Sequence, residues 1–198
     1  MTTRADNERE AVARLDRTSD AIKEKVGQYL YAEEDIGIEH ALVSLMAANK
    51  LTLAVAESCT GGLLSGSITS VPGSSAVLVG GVVAYSNAWK QRYLQVPEHL
   101  LEGPEAPGAV SEETACQMAE QVMKLNGADY GVSVTGVAGP AHSERKPAGL
   151  VYIAVADRKG SIEAIRLSLR GNRSMIRTRA VRSALYQVWK LIRKHTQA

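Results

Sequence analysis

The segment Ala56-Glu57-Ser58-Cys59-Thr60-Gly61-Gly62 sets a hydroxyl and a thiol side by side at the entrance to a glycine-rich turn. A serine so placed can act as a nucleophile. The two glycines let the backbone turn tightly and let a ligand come close. Free backbone N–H groups at the start of a following helix would hold an oxyanion or a phosphate. On that reading Thr60, Gly61 and Gly62 belong to a substrate subsite. Ser, Thr and Gly also occupy such turns for capping alone, and residue chemistry by itself favours that simpler account. Cys59 is the rival nucleophile, because a thiol at a helix N-terminus is acidified.

A serine nucleophile needs a base. The chain has four histidines, His40, His99, His142 and His195. Only His142 lies in a segment expected near the same crevice, and a lone histidine in a polar loop is usually just exposed. A Ser-His-Asp or Cys-His system is therefore poorly supported. Tyr85 ends an apolar run and Lys90 follows it in a short helical stretch. Lys90 would fold back toward Tyr85, where an ammonium favours the phenolate. Tyr85 would then take the proton from Ser58. A tyrosine at a strand end is also a common amphipathic core-edge residue, and spacing does not choose between the two. Thr135 and Gly136 offer a hydroxyl and an N–H, or form a simple turn. Arg173 falls at the start of the last helix, where a guanidinium suits a phosphate or is surface charge. The loop His142-Ser143-Glu144-Arg145-Lys146 is a candidate flap, or only a solvated charge run.

These residues are spaced by a strand–turn–helix grammar. Leu51–Ala56, Val77–Tyr85 and Asp129–Val134 read as apolar strands, each ending in a polar or glycine-rich turn. Gly149–Ala156 and Ser161–Leu169 read as two more strands around a turn at Lys159-Gly160. Helices are expected over 8–31, 38–49, from Ser86, from Ser111 to Gly127, and from Asn172 onward, with Ser86, Ser111 and Asn172 as caps. The last helix carries a stripe of Ile176, Ala180, Val181, Ala184, Leu185, Val188, Trp189 and Ile192. This alternation predicts a three-layer α/β/α sandwich with a mixed, mainly parallel sheet. Residues 1–35 read as an N-terminal helical extension, packed outside the main fold or against a partner chain, and 36–198 as the main domain. Ligands of open α/β sheets bind beyond the carboxyl ends of the strands. The turns 56–62, 85–90 and 134–140 should therefore converge on one crevice.

Composition narrows the function classes. The chain has 198 residues and a formal net charge of +2, too little to argue for nucleic acid. Residues 161–198 hold nine Arg or Lys against one acid, but the charges interleave with the apolar stripe, as on a solvated helix face. Cys59 and Cys116 stand alone, with no metal or redox spacing, and a reduced, cytoplasmic protein is expected. The polar N-terminus is not a secretory signal, and no apolar run suits a membrane span. There is no Phe, so the core must be built from aliphatics, Ala, Tyr and Trp.

From about Leu51 to Lys194 the sequence resembles the CinA C-terminal domain family, whose active members are nicotinamide mononucleotide deamidases. The resemblance rests on ordered blocks. They are Ala56–Gly62, Pro72-Gly73-Ser74-Ser75, Val83-Ala84-Tyr85-Ser86-Asn87 with Lys90, Gly108–Glu113 and Val134–Pro140. Lys146–Gly149 and Gly171-Asn172-Arg173 match more weakly. The resemblance implies a Ser-Tyr-Lys site at Ser58, Tyr85 and Lys90, with Thr135 at the substrate and Arg173 at its phosphate. It implies hydrolysis of the carboxamide to nicotinic acid mononucleotide and ammonia, with no metal or organic cofactor. It also implies a homodimer or larger homo-oligomer.

The sequence departs from the family pattern in several places. Longer relatives carry an N-terminal pyrophosphatase-like domain, for which this chain has no room. The loop 102–107 is longer than usual, 141–147 lacks its usual glycines, and residues 1–35 have no counterpart. These changes bear on substrate preference more than on chemistry. Two other readings compete with the amidase. One is a non-catalytic nucleotide-binding or regulatory paralogue on the same fold. The other is a nucleic-acid binder using the basic tail, whose mark would be steep salt dependence.

Overall fold

The computed structural model describes residues 2–141, 143 and 146–196. The chain divides into two compact units, Met1–Ile36 and Gly37–Ala198. The first holds helix α1 (Glu8–Val26), whose start is capped by the Asn7 side chain accepting from the Glu10 N–H. The helix expected over 8–31 ends earlier, at Val26, where the backbone leaves helical geometry and tightens into a 3₁₀ turn over Gly27–Tyr29. Glycine is a poor residue with which to extend a helix. No residue of α1 is buried, and Val12, Ile22 and Val26 of its expected stripe are exposed.

The second unit runs α2 (Ile38–Ala48), β1 (Leu53–Glu57), α3 (Leu63–Thr69), β2 (Leu78–Val83), α4 (Asn87–Leu94), α5 (Glu98–Leu101), α6 (Glu112–Asn126), β3 (Tyr130–Gly136), β4 (Leu150–Asp157), β5 (Ile162–Ser168) and α7 (Arg173–Thr196). The strands form one sheet in the order β2-β1-β3-β4-β5. β1 pairs in parallel with β2 and β3, while β4 pairs antiparallel with β3 and β5. The sheet is thus mixed. Its pairings divide evenly, yet every strand but β4 points the same way. The caps expected at Ser86, Ser111 and Asn172 form, accepting from the N–H groups of Trp89, Thr114 and Met175.

Alternation along the strands builds two unlike faces. Leu53, Val55, Val132, Val134, Val151, Ile153 and Val155 point into one core with α2, α3 and α7, where every residue of the predicted α7 stripe is buried. Ala54, Ala56, Ala154 and Ala156 point into the other, with α6. The second face is small because α6 lies almost on the sheet. A Cβ on Gly131 would run into the Ala119 carbonyl oxygen. A core with no Phe is therefore made of aliphatic side chains on one face and close helix–sheet approach on the other.

Register brings three strand ends level. Glu57, the last residue of β1, pairs with Val83 of β2 and with Val134 of β3. The next residues of each strand, Ser58, Ala84-Tyr85 and Thr135-Gly136, emerge at one end of the sheet.

Candidate active site

A cavity of about 460 Å³ opens at that end. Ser58, Tyr85, Lys90, Thr135, Gly136 and Arg173 all line it. The turns after β1, β2 and β3 thus converge, as the sheet rule requires. Thr60, Gly61 and Gly62 do not line it. Thr60 is fully buried, and its hydroxyl has no hydrogen-bond partner among the described residues. His142 lies outside the described residues, as do Glu144 and Arg145 of the charged loop. Lys146 of that loop donates from Nζ to the Pro107 carbonyl, joining it to the segment 102–107.

The turn that carries Ser58 is held by the sheet. The Ser58 N–H donates to the Val134 carbonyl at 2.9 Å, and the Ala84 N–H donates to the Glu57 carbonyl at 2.8 Å. Lys90 sits in the first turn of α4 and is almost wholly buried, at 2% exposure. Its Nζ donates to Ser58 Oγ at 3.2 Å and to the Ala84 carbonyl at 3.0 Å. The sequence alone places Tyr85 between the serine and the lysine. In the structure the lysine reaches the serine directly. Tyr85 is 62% exposed, and its hydroxyl accepts from Arg173 Nη2 at 3.0 Å. Arg173 Nη1 donates to the Gly139 carbonyl at 2.9 Å, so one guanidinium spans the turns after β2 and β3. Thr135 is buried, with its hydroxyl donating to the Ala109 carbonyl at 2.6 Å.

Two expectations about the turn fail for physical reasons. The N–H groups at the start of α3 are not free. Glu57, itself fully buried, turns its carboxylate onto them. Oε2 accepts from the Gly62 and Leu64 N–H groups, and Oε1 accepts from the Ser65 N–H and hydroxyl. An anion-binding helix start is thereby filled from inside the chain. Nor is Cys59 acidified. Burial pushes its thiol up to about 11, outweighing the attraction of Arg177, Lys90 and Arg173. A thiol so held is a poor nucleophile at neutral pH.

Sequence reasoning missed Glu57 and Arg177. Arg177 of α7 donates from Nε to the Cys59 carbonyl at 3.1 Å and from Nη2 to the Thr60 carbonyl at 2.6 Å. The available signal for Glu57 was a carboxylate ending an otherwise apolar strand, since an acid buried there must be hydrogen-bonded. Arg177 carries no local signal beyond lying one helical turn after Arg173.

The site can therefore deliver a serine hydroxyl, the Lys90 amine in contact with it, and one further cationic side chain, Arg173, to one cavity that no Asp or Glu lines among the described residues. Among the described residues no group of His, Cys, Asp and Glu is placed to hold a metal ion, and no helix is long and apolar enough to cross a membrane.

A model of the CinA C-terminal domain matches residues 35–192. A putative competence-damage inducible protein of Moorella thermoacetica is 41% identical over 194 residues, which are 98% of this chain and 46% of that protein. One from Thermoanaerobacter pseudethanolicus is 44% identical over 186 residues, 93% of this chain and 44% of the relative. The chain thus spans less than half the length of these relatives, and the match over 98% of it gives residues 1–35, expected to have no counterpart, one in the first of them. The crystal structure of a competence-damaged protein (CinA) superfamily protein from Klebsiella pneumoniae 700603 superposes with a TM-score of 0.75 at 31% identity, covering 79% of this chain and 96% of the other. That of a competence/damage inducible protein from Agrobacterium tumefaciens superposes with a TM-score of 0.71 at 36% identity, covering 79% and 97%.

Proposed function

We propose, taking as premise that this chain belongs to the CinA C-terminal domain family, that it is a serine amidohydrolase acting on the carboxamide of nicotinamide mononucleotide. The observation that carries this reading is the contact between Lys90 Nζ and Ser58 Oγ inside the cavity. A buried lysine touching a serine hydroxyl at a strand end supports a nucleophile–base pair. The lining adds Arg173 and no carboxylate among the described residues, which suits a substrate carrying a phosphate.

The chemistry follows from these positions. In the neutral form that this role requires, Lys90 accepts rather than donates at Ser58 and takes its proton while Oγ bonds to the carboxamide carbon. The carbonyl π bond opens to an oxyanion. When the tetrahedral adduct collapses, the C–N bond breaks, and Lys90 returns its proton to the departing nitrogen, which leaves as ammonia. Water, giving its proton to Lys90, then attacks the acyl-serine, and Ser58 leaves with that proton. The products are the carboxylic acid, which ionises and gives its proton to the released ammonia, and the free enzyme. Arg173, bridging Tyr85 and Gly139, holds the phosphate end of the substrate, and Tyr85 contacts the bound nucleotide at the cavity mouth.

The test is ammonia release from nicotinamide mononucleotide by the purified protein and by Ser58→Ala. Turnover that disappears in the variant supports the reading. Full turnover in the variant, or no turnover on any pyridine nucleotide, overturns it. Thermal stabilisation by the mononucleotide without ammonia would identify a binding protein instead.

A further inference from the structure

The two residues that sequence reasoning missed act on the same turn from opposite sides. We propose that Glu57 and Arg177 are a two-sided brace that positions Ser58 for attack, without either touching the substrate. The proposal rests on the amidase reading above and extends it to residues outside the cavity lining.

Strand alternation explains the division of labour. Glu57 is the last residue of β1, and its side chain falls on the sheet face covered by α3 and α7. There its carboxylate accepts the four bonds from Gly62, Leu64 and Ser65 described above. Ser58 turns the other way and meets Lys90 of α4. The turn between them passes through left-handed backbone at Gly61 (φ 58°) and Gly62 (φ 95°). Such a turn is a weak support for a side chain that must be held within a fraction of an ångström. Glu57 fixes its far side by the N–H groups. Arg177 fixes its crown by the Cys59 and Thr60 carbonyls. An anion thus satisfies the donors and a cation the acceptors. Both sets of bonds are charge-assisted, the stronger kind.

The brace also decides where a substrate anion cannot go. With the start of α3 occupied by Glu57, the phosphate has no place there, which leaves the Arg173 side of the cavity.

Full-length protein with Glu57→Gln, Arg177→Met, Arg177→Lys and the control Arg182→Met tests this. Arg182 is exposed on the same helix, away from the cavity lining. In Glu57→Gln the introduced amide nitrogen would face N–H donors, so the turn should loosen while the fold persists. The expected result is a fall in kcat of about 10²-fold for Glu57→Gln and about tenfold for Arg177→Met. KM should stay within about threefold, Arg177→Lys should regain part of the loss, and Arg182→Met should behave as wild type. Amide hydrogen exchange at Gly62, Leu64 and Ser65 should speed up in Glu57→Gln. Unchanged kcat in both Glu57→Gln and Arg177→Met overturns the brace, as does a loss carried wholly by KM. If Glu57→Gln does not fold, Arg177→Met decides alone. If the wild type itself releases no ammonia, the amidase reading fails, and unchanged exchange at those amides overturns the brace independently.

Discussion

The two ends of the sheet carry buried charge in opposite styles. At the carboxyl ends of β1, β2 and β3 the exposed side of the arrangement is cationic, with Lys90 and Arg173 facing an open cavity. At the other end it is acidic. Asp129 accepts from the Thr52 N–H and hydroxyl and pairs with Arg158 at 2.9 Å, tying β1 to β3 and to the β4–β5 turn. Asp157 accepts from the Lys159 and Ser161 N–H groups and closes that turn. Its other oxygen is buried without a hydrogen bond among the described residues, 3.7 Å from His195 Nδ1, which also contacts the Tyr130 hydroxyl at 3.2 Å. Burial, with Asp157 and Asp129 nearby, holds the Tyr130 phenol above its usual value. A smaller cleft of about 230 Å³ lies beside these groups. The difference is one of purpose. At the acidic end each carboxylate joins two segments of backbone. At the cationic end Lys90 joins the Ala84 backbone to the hydroxyl of Ser58, the proposed nucleophile. Burial and charge alone do not mark a site; the partner of the buried charge does.

The contrast predicts that the two ends respond differently to mutation, and the largest effects lie at the cationic end. Ser58→Ala should lower ammonia release by roughly 10⁴-fold or more. Lys90→Met, which keeps much of the buried stem while deleting the amine, should cost roughly 10²- to 10⁴-fold, with the melting temperature and circular dichroism near wild type. A Lys90→Met protein retaining half its turnover would erase the distinction drawn between the ends.

Next in size comes the pair at the cavity mouth. Arg173→Ala should raise KM by about tenfold to a hundredfold, since it removes the charge-assisted contact proposed for the substrate phosphate. Tyr85→Phe should cost about tenfold or less, because the exposed hydroxyl is bonded to Arg173 and not to Ser58. Steady-state kinetics on the mononucleotide reads both. A thousandfold loss of kcat in Tyr85→Phe would return the base role to the phenol, where the sequence alone places it.

What was legible in the sequence follows from the range of each interaction. The α7 stripe and the caps at Ser86, Ser111 and Asn172 are local in sequence, and they could be read there. The convergence of three turns follows from the parallel pairing of β1 with β2 and β3, which the strand–turn–helix grammar implies. The direction of Lys90 could not be read. Its position in the first turn of α4 allows a reach to Tyr85 or to Ser58, and only the buried path along Ala84 chooses Ser58. The filling of the α3 start by Glu57 was hidden for a related reason. A helix start after a glycine turn looks open until a side chain from the preceding strand is known to fold back onto it. Arg177 acts on residues more than a hundred positions away, which no pattern in one sequence encodes.

At the acidic end the expected effects are on stability. Asp157→Ala leaves two turn N–H groups without their acceptor and should cost about 1–3 kcal/mol in denaturant unfolding. Asp157→Asn keeps one accepting oxygen and places an amide where the unbonded oxygen now lies, so its cost should be smaller. Neither should change kcat by more than about twofold. A large kcat effect with normal stability would mean that the two ends are functionally linked.

The smallest effect concerns Cys59, the residue that divides the two accounts of the turn. Its neighbour Ser58 faces Lys90, whereas the thiol packs in the core beside α3 and α7. Burial raises its folded-state value from 9.0 to about 11. The neutral thiol is thus the form the fold prefers. The stability that this preference contributes is fully present below the unfolded value near 9 and is lost as pH rises toward 11. At neutral pH the thiol should be protonated and slow to alkylate, so iodoacetamide should leave Cys59 unmodified and turnover intact. Cys59→Ser should keep kcat within about threefold. It should also flatten the part of the alkaline stability decline that lies between about pH 9 and 11. Rapid alkylation of Cys59 at neutral pH, with loss of turnover, would reverse the assignment. The thiol would then be the nucleophile and Ser58 the capping residue that its glycine-rich setting first suggests.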